Sequence, residues 1–380
     1  MENKIIYLDN AATTKPCKAA VEAMLIAAEE FGNPSSLHGA GLSAEKLILK
    51  SKSDIAVMLG VDKDNIYFTS GGTEANNLAI LGTANALKKR GRRVITSKIE
   101  HPSVLEAFKQ LESEGFDVLY ADVNSDGRVD VDKFRQLVND DTILVSVMHT
   151  NNETGVIQPI SEISDIIKAQ APNCVFHSDC VQAFGKLDVK PELSAVDMVS
   201  ISAHKIHGFK GTGALYTKNR HIRPILFGGE QQNRLRPGTE NTGGILAFSA
   251  AANACKNDAD KMRKKRELMR DLLLEKVGNI QINGSCRYNS GSVLNVSFLG
   301  IKAEILLHSL ERHKIYVSTG SACSSHKPQP SHVLTAMGVS AKAIEGAIRI
   351  SFCEATTDDE IRFAAEKIAD EVSTIRKYIR

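Results

Sequence analysis

The sequence of 380 residues contains no tryptophan, and aromatic residues make up only 5% of it. No run approaches the roughly 20 consecutive apolar residues that a membrane-spanning helix needs. Lys plus Arg number 47 and Asp plus Glu number 45, so the formal net charge is +2. A charge so close to zero argues against a protein that mainly grips nucleic acid through its phosphates. We therefore expect neither a membrane protein nor a protein whose main role is nucleic-acid binding.

Cysteine is sparse and follows no pattern that implies a structural role. The seven cysteines are odd in number and none lies in a C-x-x-C motif, so neither a disulfide framework nor a zinc site is indicated. Residues 1–16 lack a basic segment followed by an apolar run, so we expect no secretory signal. A cytoplasmic enzyme in a reducing compartment is therefore the expectation, with at least one cysteine available for chemistry.

Metal-binding patterns are missing as well. The segment 122–127 matches the first half of an EF-hand calcium loop, but Lys133 stands at the twelfth position, where a bidentate glutamate is required. We interpret the segment as a turn between a strand and a short helix. The histidines show no metal-ligand spacing, so we expect no metal site.

A regular alternation of strands and helices runs from about residue 65 to residue 220. Several of the strands are continuously apolar, which is typical of a mostly parallel α/β sheet covered on both faces. After about residue 250, a long charged helical stretch leads into the strands and helices of a smaller α+β region. We therefore predict a large domain over 16–254 and a small domain over 255–380, which also takes the N-terminal segment 1–15.

Two local patterns refine this prediction. We predict a short strand over residues 4–9 that could join either sheet, because nothing in the pattern decides between them. Thr357 and Glu360 have the spacing of a capping box, in which the hydroxyl accepts from the backbone amide three residues on. The last helix should therefore begin directly after Thr357.

A glycine-rich turn follows the first strand of the alternating region. In Thr69-Ser-Gly-Gly-Thr-Glu74, a strand runs into two glycines, a hydroxyl residue and a helix, which offers free amide groups to an anion. The motif is neither a Walker motif nor G-x-G-x-x-G, so a nucleoside triphosphate is disfavoured. A tight turn with Thr73 as a helix cap is the alternative, and the motif alone leaves both interpretations open.

Two neighbouring strands end in residues suited to covalent chemistry. One ends at Asp179, and the next continues from Ser202 into His204 and Lys205. The carboxyl ends of parallel strands meet at the sheet edge where open α/β folds bind ligands. A desolvated lysine there can form a Schiff base, and a carboxylate can pair with a pyridinium nitrogen. For this pair taken alone, a surface lysine and a capping aspartate remain the alternative.

One cysteine has a distinct setting. Cys323 lies in Ser321-Ala-Cys-Ser-Ser325, followed by a segment rich in proline and serine, which is typical of an exposed loop. A thiol in such a loop can act as a nucleophile, whereas buried cysteines are usually inert. Cys174, Cys180 and Cys255 are predicted to be structural.

Together these motifs resemble the NifS/IscS group of cysteine desulfurases, in the class V aminotransferase group of fold type I pyridoxal phosphate (PLP) enzymes. Each motif is weak alone, but their order and spacing along nearly the whole chain are specific. The matching segments are YLDNAATT (7–14), GNPSS (32–36), TSGGTEANN (69–77), EHPS (100–103), NNETG (151–155), HSDCVQ (177–182), SAHKIHGFKG (202–211), RPGT (236–239), SACSS (321–325) and RIS (349–351).

The resemblance implies a role for each matching residue, position by position. Lys205 would hold PLP as a Schiff base, Asp179 would pair with the pyridinium nitrogen, and His101 would stack on the ring and shuttle protons. Cys323 would accept the sulfur as a persulfide, and Arg349 would bind the substrate carboxylate. The other positions would surround the cofactor: Asn152 and Gln182 near the ring hydroxyl and substrate, and Gly72, Thr73, Ser202, His204 and, from the other subunit, Thr239 at the phosphate.

The resemblance further implies a homodimer that converts L-cysteine to L-alanine and passes sulfur to an acceptor protein. The acceptor would serve iron–sulfur cluster assembly or tRNA thiolation. The SACSS segment is similar to that of the long-loop class of the family. Housekeeping members engage an iron–sulfur scaffold through a longer tail, whereas this sequence ends at Arg380. A scaffold and a tRNA sulfurtransferase therefore stay equal candidates, and the unusual Phe352-Cys-Glu354 after Arg349-x-Ser leaves fine specificity open.

Two other functions stay open. A selenocysteine lyase, or another class V PLP enzyme, is a close alternative, although selenide release does not require an enzyme thiol such as Cys323. A non-catalytic scaffold on the same fold is the second alternative, and it would be colourless when purified. The basic clusters at 88–93 and 261–266 are interpreted as solvated helix ends and faces.

Overall fold

The computed structural model describes residues 4–218, 221–319 and 330–379. The alternation of strands and helices predicted from residue 65 onwards is confirmed. The strands are β1 (Ile6–Tyr7), β2 (Ile66–Thr69), β3 (Arg93–Ser97), β4 (Asp117–Ala121), β5 (Thr142–Ser146), β6 (Val175–Asp179), β7 (Met198–Ser202), β8 (Gly213–Thr217), β9 (Ile280–Asn283), β10 (Val293–Phe298), β11 (Ile315–Tyr316) and β12 (Ala347–Ser351). The helices are α1 (Lys18–Glu29), α2 (Gly39–Leu59), α3 (Gly72–Leu87), α4 (Pro102–Ser113), α5 (Val131–Leu137), α6 (Ile160–Gln170), α7 (Lys190–Leu193), α8 (Thr242–Ala254), α9 (Ala259–Lys276), α10 (Ala303–Glu311), α11 (His332–Ala336), α12 (Ala341–Glu345) and α13 (Asp358–Ile379).

A seven-stranded sheet forms the larger part of the fold, in the order β2-β8-β7-β6-β5-β3-β4. The strands from β7 to β4 run parallel to one another, and β8 runs antiparallel to both β2 and β7. Leu144 packs into one apolar core and Val145 into another, so both faces of β5 are covered. The predicted mostly parallel α/β sheet is therefore confirmed, with β8 as an antiparallel strand that the pattern did not predict.

A smaller antiparallel sheet, in the order β12-β10-β9, packs against α9, α10 and α13. β1 pairs in parallel with β11, with Ile6 opposite Ile315, and Asp9 bridges to Ser351 at the end of β12. The N-terminal strand therefore joins the smaller part of the fold and not the seven-stranded sheet. The domain boundary between residues 254 and 255 stays a prediction.

Local hydrogen bonds agree with two of the predictions made from the sequence. The Glu360 amide donates to Thr357 Oγ1 at 3.2 Å, and the Thr357 amide donates to Glu360 Oε2 at 2.8 Å. This reciprocal pair is the predicted capping box, and α13 begins directly after it. The calcium-like segment is a turn, since the Asn124 amide donates to the Arg128 carbonyl at 2.8 Å.

Helices α1, α2 and α8, which the pattern did not predict, complete the larger part of the fold. α1 and α2 both pack against α8, which lies beside the central sheet. Among the helices within 4–218, 221–319 and 330–379, none is long and apolar enough to cross a membrane.

Candidate active site

The carboxyl ends of β6 and β7 carry the first candidate residues. β6 ends at Asp179, and β7 ends at Ser202, followed by a single 3-10 turn over Ala203–Lys205. The two strands are parallel neighbours, so these residues lie at the same edge of the sheet, as the sequence predicted. Asp179 is buried and Lys205 is half-buried.

A chain of hydrogen bonds links Asp179 to His101. Asp179 Oδ1 accepts from the Val181 amide at 2.9 Å, and Oδ2 accepts from Asn76 Nδ2 at 2.7 Å. Asn76 Nδ2 also donates to Ser103 Oγ at 2.9 Å, and this hydroxyl lies 2.8 Å from His101 Nδ1. Asn76 and Ser103 lie within matched motifs, but no pattern in the sequence singled out either one.

The contacts of His101 define its protonation. The Ser103 amide donates to His101 Nδ1 at 3.1 Å, so Nδ1 is an acceptor and the ring proton lies on Nε2. Burial lowers the pKa of His101, and the positive charge of Lys205 lowers it further, while Asp179 acts in the opposite direction. The ring at the start of α4 is therefore a neutral imidazole that presents an N–H donor.

We expect Asn76→Ala to destabilise the holoenzyme by about 1–3 kcal/mol, because it removes the buried donor that the Asp179 carboxylate uses. Affinity for PLP should fall as well, since the carboxylate loses the contact that orients it. Denaturant unfolding and titration of PLP by its visible absorption measure the two effects. Asn77→Ala is the matched control on the same helix, since Asn77 Nδ2 donates to the Thr73 carbonyl at 2.9 Å. Equal losses in the two variants would contradict the orienting role.

The N-terminal segment closes one side of the site. Lys205 Nζ donates to the carbonyls of Ala11 and Ala12, each at 2.7 Å. Gln182 Nε2 donates to the Ala11 carbonyl at 2.9 Å. These are main-chain acceptors, so no side-chain pattern in the sequence could have revealed them.

Lys186 is a further charged group at the site that the sequence did not predict. Its Nζ donates to Gln182 Oε1 at 2.8 Å. Burial lowers the pKa of Lys186 to about 7, and the nearby charges of Lys205 and Arg349 add to this effect. Near neutral pH its charge therefore changes beside Lys205.

The lowered pKa of Lys186 makes stability depend on pH with a definite sign. Between pH 7 and the ordinary lysine range, the unfolded chain binds the proton more tightly than the folded one, so stability rises with pH. We expect Lys186→Met to flatten this rise, measured as unfolding midpoints across that range. Lys168→Met, at an exposed position on α6, makes the same charge change away from the site. An unchanged slope in Lys186→Met would contradict the assignment.

The start of α3 lies beside β7. Gly71 has a φ of 155°, which side-chain-bearing residues rarely adopt, and a Cβ on Gly72 would lie 2.8 Å from Val181 Cγ2. Thr73 is exposed at the helix start. Ser202 Oγ is buried and has no hydrogen-bond partner among the described residues. An unpartnered buried hydroxyl beside free helix amides is what a phosphate group would satisfy.

The two other predicted phosphate residues are placed differently. His204 Nδ1 lies 3.2 Å from Thr13 Oγ1, and burial together with Lys205 lowers its pKa to about 4. Thr239 is exposed at the protein surface. Its segment is tied to the first turn of α3 by Arg236 Nε, which lies 2.7 Å from Glu74 Oε1.

Arg349 on β12 is buried at the junction of the two parts of the fold. Its Nη2 pairs with Asp9 Oδ1 at 2.8 Å, and its Nη1 donates to the Asn152 carbonyl at 3.1 Å. Its Nε is buried without a partner among the described residues. The predicted residues Arg349 and Asn152 are therefore in contact, and an N–H remains for a carboxylate.

Cys323 lies outside the described residues, but both ends of its segment contact the site. On one side, the Ser318 amide donates to the Arg349 carbonyl at 3.1 Å. On the other side, Ser331 Oγ donates to Glu153 Oε2 at 2.5 Å, directly after Asn152. The chain that carries Cys323 thus begins and ends beside the Arg349–Asn152 contact.

Glu100 is a buried acid behind His101 that the sequence pattern did not single out. It accepts from Ser97 Oγ at 2.5 Å and from the Met148 amide at 2.9 Å. Burial raises the pKa of Glu100 to about 8. His332 Nε2 lies 2.9 Å from the Glu100 carbonyl, which ties the start of α11 to the same strand end.

The residues present fit PLP. The buried carboxylate of Asp179 suits a pyridinium nitrogen, and the unpartnered Ser202 hydroxyl beside the start of α3 suits a phosphate. The Lys205 amine lies at the same strand edge. The fold and this site define a fold type I enzyme of the PLP-dependent transferases.

Comparison with known proteins identifies the family. The aminotransferase class-V family matches residues 6–363, and the chain belongs to that family. It is 42% identical to a putative cysteine desulfurase IscS 1 of Bacillus subtilis, over 97% of this chain and 99% of that one. It is 41% identical to the cysteine desulfurase IscS of Methanosarcina thermophila, over 99% and 94%. The predicted NifS/IscS resemblance is confirmed.

Solved structures agree with this placement. A NifS-like protein superposes with a TM-score of 0.91 at 37% identity, covering 98% of this chain and 100% of that one. SspA in complex with cysteine superposes with a TM-score of 0.81 at 32% identity, over 91% and 98%. The fold type I prediction is confirmed by these likenesses.

Proposed function

We propose that this protein is a PLP-dependent cysteine desulfurase that converts L-cysteine to L-alanine and captures the sulfur as a persulfide on Cys323. The observation that carries the proposal is the placement of Lys205 and the buried, doubly hydrogen-bonded Asp179 at one sheet edge. The relatives named as cysteine desulfurases support the substrate. They make a selenocysteine lyase and a non-catalytic scaffold the less favoured alternatives.

Each residue around the cofactor would have its own role. Lys205 would hold PLP covalently, and Asp179 would keep the pyridinium nitrogen protonated. PLP supplies an electron sink that makes the substrate α-proton acidic. Lys205, once released, would move that proton, and His101 would stack on the ring with its Nε2–H as a donor. Gln182 would lie near the ring hydroxyl.

Substrate binding rests on the Arg349–Asn152 contact. Arg349 would bind the carboxylate of L-cysteine through its guanidinium, whose Nε has no partner among the described residues. Asp9 and the Asn152 carbonyl hold the other side of the guanidinium in place. The Arg349 guanidinium is thus oriented before the substrate binds.

Sulfur transfer requires a thiolate that can reach the substrate. Cys323 is five residues from Ser318, a length of chain that spans at most about 17 Å. Since Ser318 pairs with Arg349, this length of chain lets the Cys323 thiol reach a substrate bound at Arg349. Its thiolate would attack the substrate sulfur as the Cβ–S bond breaks, which leaves a persulfide on Cys323 and, after protonation, alanine.

The phosphate would lie at the start of α3. Gly72 and Thr73 would donate through their backbone amides, and Ser202 and His204 would contribute side chains. Thr239 of the partner subunit would complete the set, which requires a homodimer. Exposed apolar side chains support such an interface: Phe31 at 86%, Leu37 at 93% and Phe227 at 88% exposure.

A homodimer is expected to dissociate when its apolar surface is altered. We expect the wild type to sediment as a dimer and Phe227→Asp to shift it toward monomer and weaken PLP binding, since Thr239 lies in the same surface segment. Tyr378→Asp, at an 86% exposed position on α13, is the matched control. A monomeric wild type that binds PLP tightly would contradict the proposal.

The acceptor protein would be an iron–sulfur scaffold or a tRNA sulfurtransferase, and we propose a cytoplasmic location. All six cysteines within the described ranges are free, as expected in a reducing compartment. The activity itself is tested by incubating the holoenzyme with L-cysteine and measuring alanine and sulfide together, with each acceptor and without one. A thiol reductant is included, because the persulfide sulfur is released as sulfide only when it is reduced. Without an acceptor, alanine and sulfide should then form in equal amounts, and the correct acceptor should accelerate alanine formation. Absence of the visible PLP band would favour a scaffold, and faster turnover of selenocysteine alone would favour a lyase.

A further inference from the structure

A second polar pocket lies between α9 and the loop that follows β9. Its cavity volume is about 390 Å³, and none of its lining residues is predicted to touch PLP or L-cysteine. The lining residues are Arg263, Arg266, Cys286, Arg287, Asn289 and Gly291. We refer to it as the arginine pocket.

Arg266 gives this pocket its chemical character. The side chain is only 1% exposed, yet no carboxylate of the described residues forms an ion pair with it. Its Nε donates to the Val293 carbonyl at 3.1 Å, and its Nη2 lies 4.0 Å from Cys286 Sγ. A buried guanidinium without a counter-charge is unfavourable, so an anion in the adjoining cavity would stabilise it.

The charges around Arg266 do not supply that counter-charge. Arg263 pairs with the exposed Asp260, whereas Arg287 pairs with no carboxylate of the described residues and lies 5.0 Å above the Tyr288 ring. Three arginines line the pocket, and among the described residues only Arg263 pairs with a carboxylate. The wall of the pocket carries an excess of about two positive charges.

The pocket is built before any ligand arrives. Gly291 has a φ of 75°, and a Cβ there would lie 2.6 Å from the Arg263 amide nitrogen, so only glycine lets the loop approach α9 this closely. The loop is held from behind, since Asn289 Nδ2 donates to the Thr154 carbonyl at 2.9 Å and Oδ1 accepts from the Gly291 amide at 2.9 Å. A fixed wall of donors binds an anion without having to be ordered first.

We propose that the arginine pocket binds a doubly charged tetrahedral oxyanion, either inorganic phosphate or the phosphoryl group of a small metabolite. Guanidinium groups pair with such oxygens through two parallel N–H donors, and a dianion matches the local excess of charge. The cavity has room for a phosphoryl group and part of the molecule that carries it. The site is separate from the proposed PLP phosphate cradle and does not depend on the proposed activity.

The test measures unfolding midpoints and calorimetric binding on the PLP-loaded enzyme at constant ionic strength, so that the cofactor cradle is already filled. Inorganic phosphate should raise the wild-type midpoint saturably, and sodium chloride should not. Glycerol 3-phosphate is the second arm, and tighter binding than inorganic phosphate would assign the site to a metabolite. No response to either anion would overturn the proposal.

Three variants locate the effect. Arg266→Met should abolish the response while leaving the phosphate-free midpoint unchanged or higher, since it removes an unpaired buried charge. Arg287→Ala, at an exposed position, should weaken binding about tenfold, which keeps the test valid where Arg266→Met folds poorly. Lys264→Ala removes one charge from an exposed position on the same helix and should keep full binding. An equal loss in Lys264→Ala would reduce the effect to general electrostatics and overturn the proposal.

Discussion

Lys205→Ala is expected to purify without the visible absorption band of bound PLP and to lose desulfuration of L-cysteine by at least about 10⁴-fold. Lys205 is proposed both to hold the cofactor covalently and to move the substrate α-proton. Removing it therefore eliminates two functions that no neighbouring group can take over in the same position. The measurements are the visible spectrum after PLP loading and the rate of alanine formation.

The surroundings of Lys205 explain why a nearby lysine cannot replace it. Its Nζ is held at 2.7 Å from the carbonyls of Ala11 and Ala12, at the edge where Asp179 ends its strand. Lys186 Nζ instead donates to the side chain of Gln182, at 2.8 Å from Oε1. Rescue by Lys186 is therefore not expected.

Lys210→Ala is the matched control, because Lys210 is an exposed lysine five positions further along the same segment. It should keep both the visible band and the activity. Lys205→Arg should also fail, since a guanidinium keeps its proton and cannot form the Schiff base. A Lys205→Ala protein that retains the band and the activity would place the cofactor lysine elsewhere.

The sequence could predict those parts of the fold that depend on local pattern. Continuously apolar strands separated by helices indicated a parallel sheet, and Thr357 with Glu360 defined the start of α13. β8 was missed, because its apolar run closely follows β7 and an antiparallel return carries no helix to separate it. The place of β1 was left open, since its pairing with β11 depends on contacts far apart in sequence.

For the candidate site too, the sequence could predict the residues that local pattern locates, but it could not predict their long-range contacts. Asp179, Ser202 and Lys205 follow from strand ends, which a pattern can locate. Asn76 was not foreseen, because its contact with Asp179 joins residues 103 positions apart, and the Asp9–Arg349 pair joins residues 340 apart. Such contacts arise only when the helices and sheets pack. The sequence therefore indicated which chemical groups are present, and tertiary packing determines which of them touch.

Cys323→Ala is expected to keep the visible PLP band and to lose alanine formation from L-cysteine by at least about 10³-fold. The cofactor residues are untouched by this substitution, so binding should be intact. The sulfur, however, has lost the thiolate that accepts it. Cys323→Ala should therefore keep the absorption band while it loses the reaction, whereas Lys205→Ala should lose both.

Four of the other thiols are poorly suited to replace Cys323. Burial raises the pKa of Cys174 and of Cys180 far above neutral pH, and it raises the pKa of Cys255 to about 12. Cys286 is exposed but lies in the arginine pocket. A thiol that stays protonated, or that faces another pocket, cannot attack the substrate sulfur.

Cys353 is the closest test of this selectivity. It is half-buried, its Sγ lies 3.7 Å from Thr356 Oγ1, and it follows Arg349 by four positions. Because Cys323 is the proposed nucleophile, Cys353→Ala should keep nearly full activity. The double variant should behave like Cys323→Ala alone. Full alanine formation by Cys323→Ala would exclude the Cys323 persulfide, and its loss only on adding Cys353→Ala would assign the nucleophile to Cys353. Retained turnover of selenocysteine by Cys323→Ala would still agree with the proposal, because selenide can leave without an enzyme thiol to receive it.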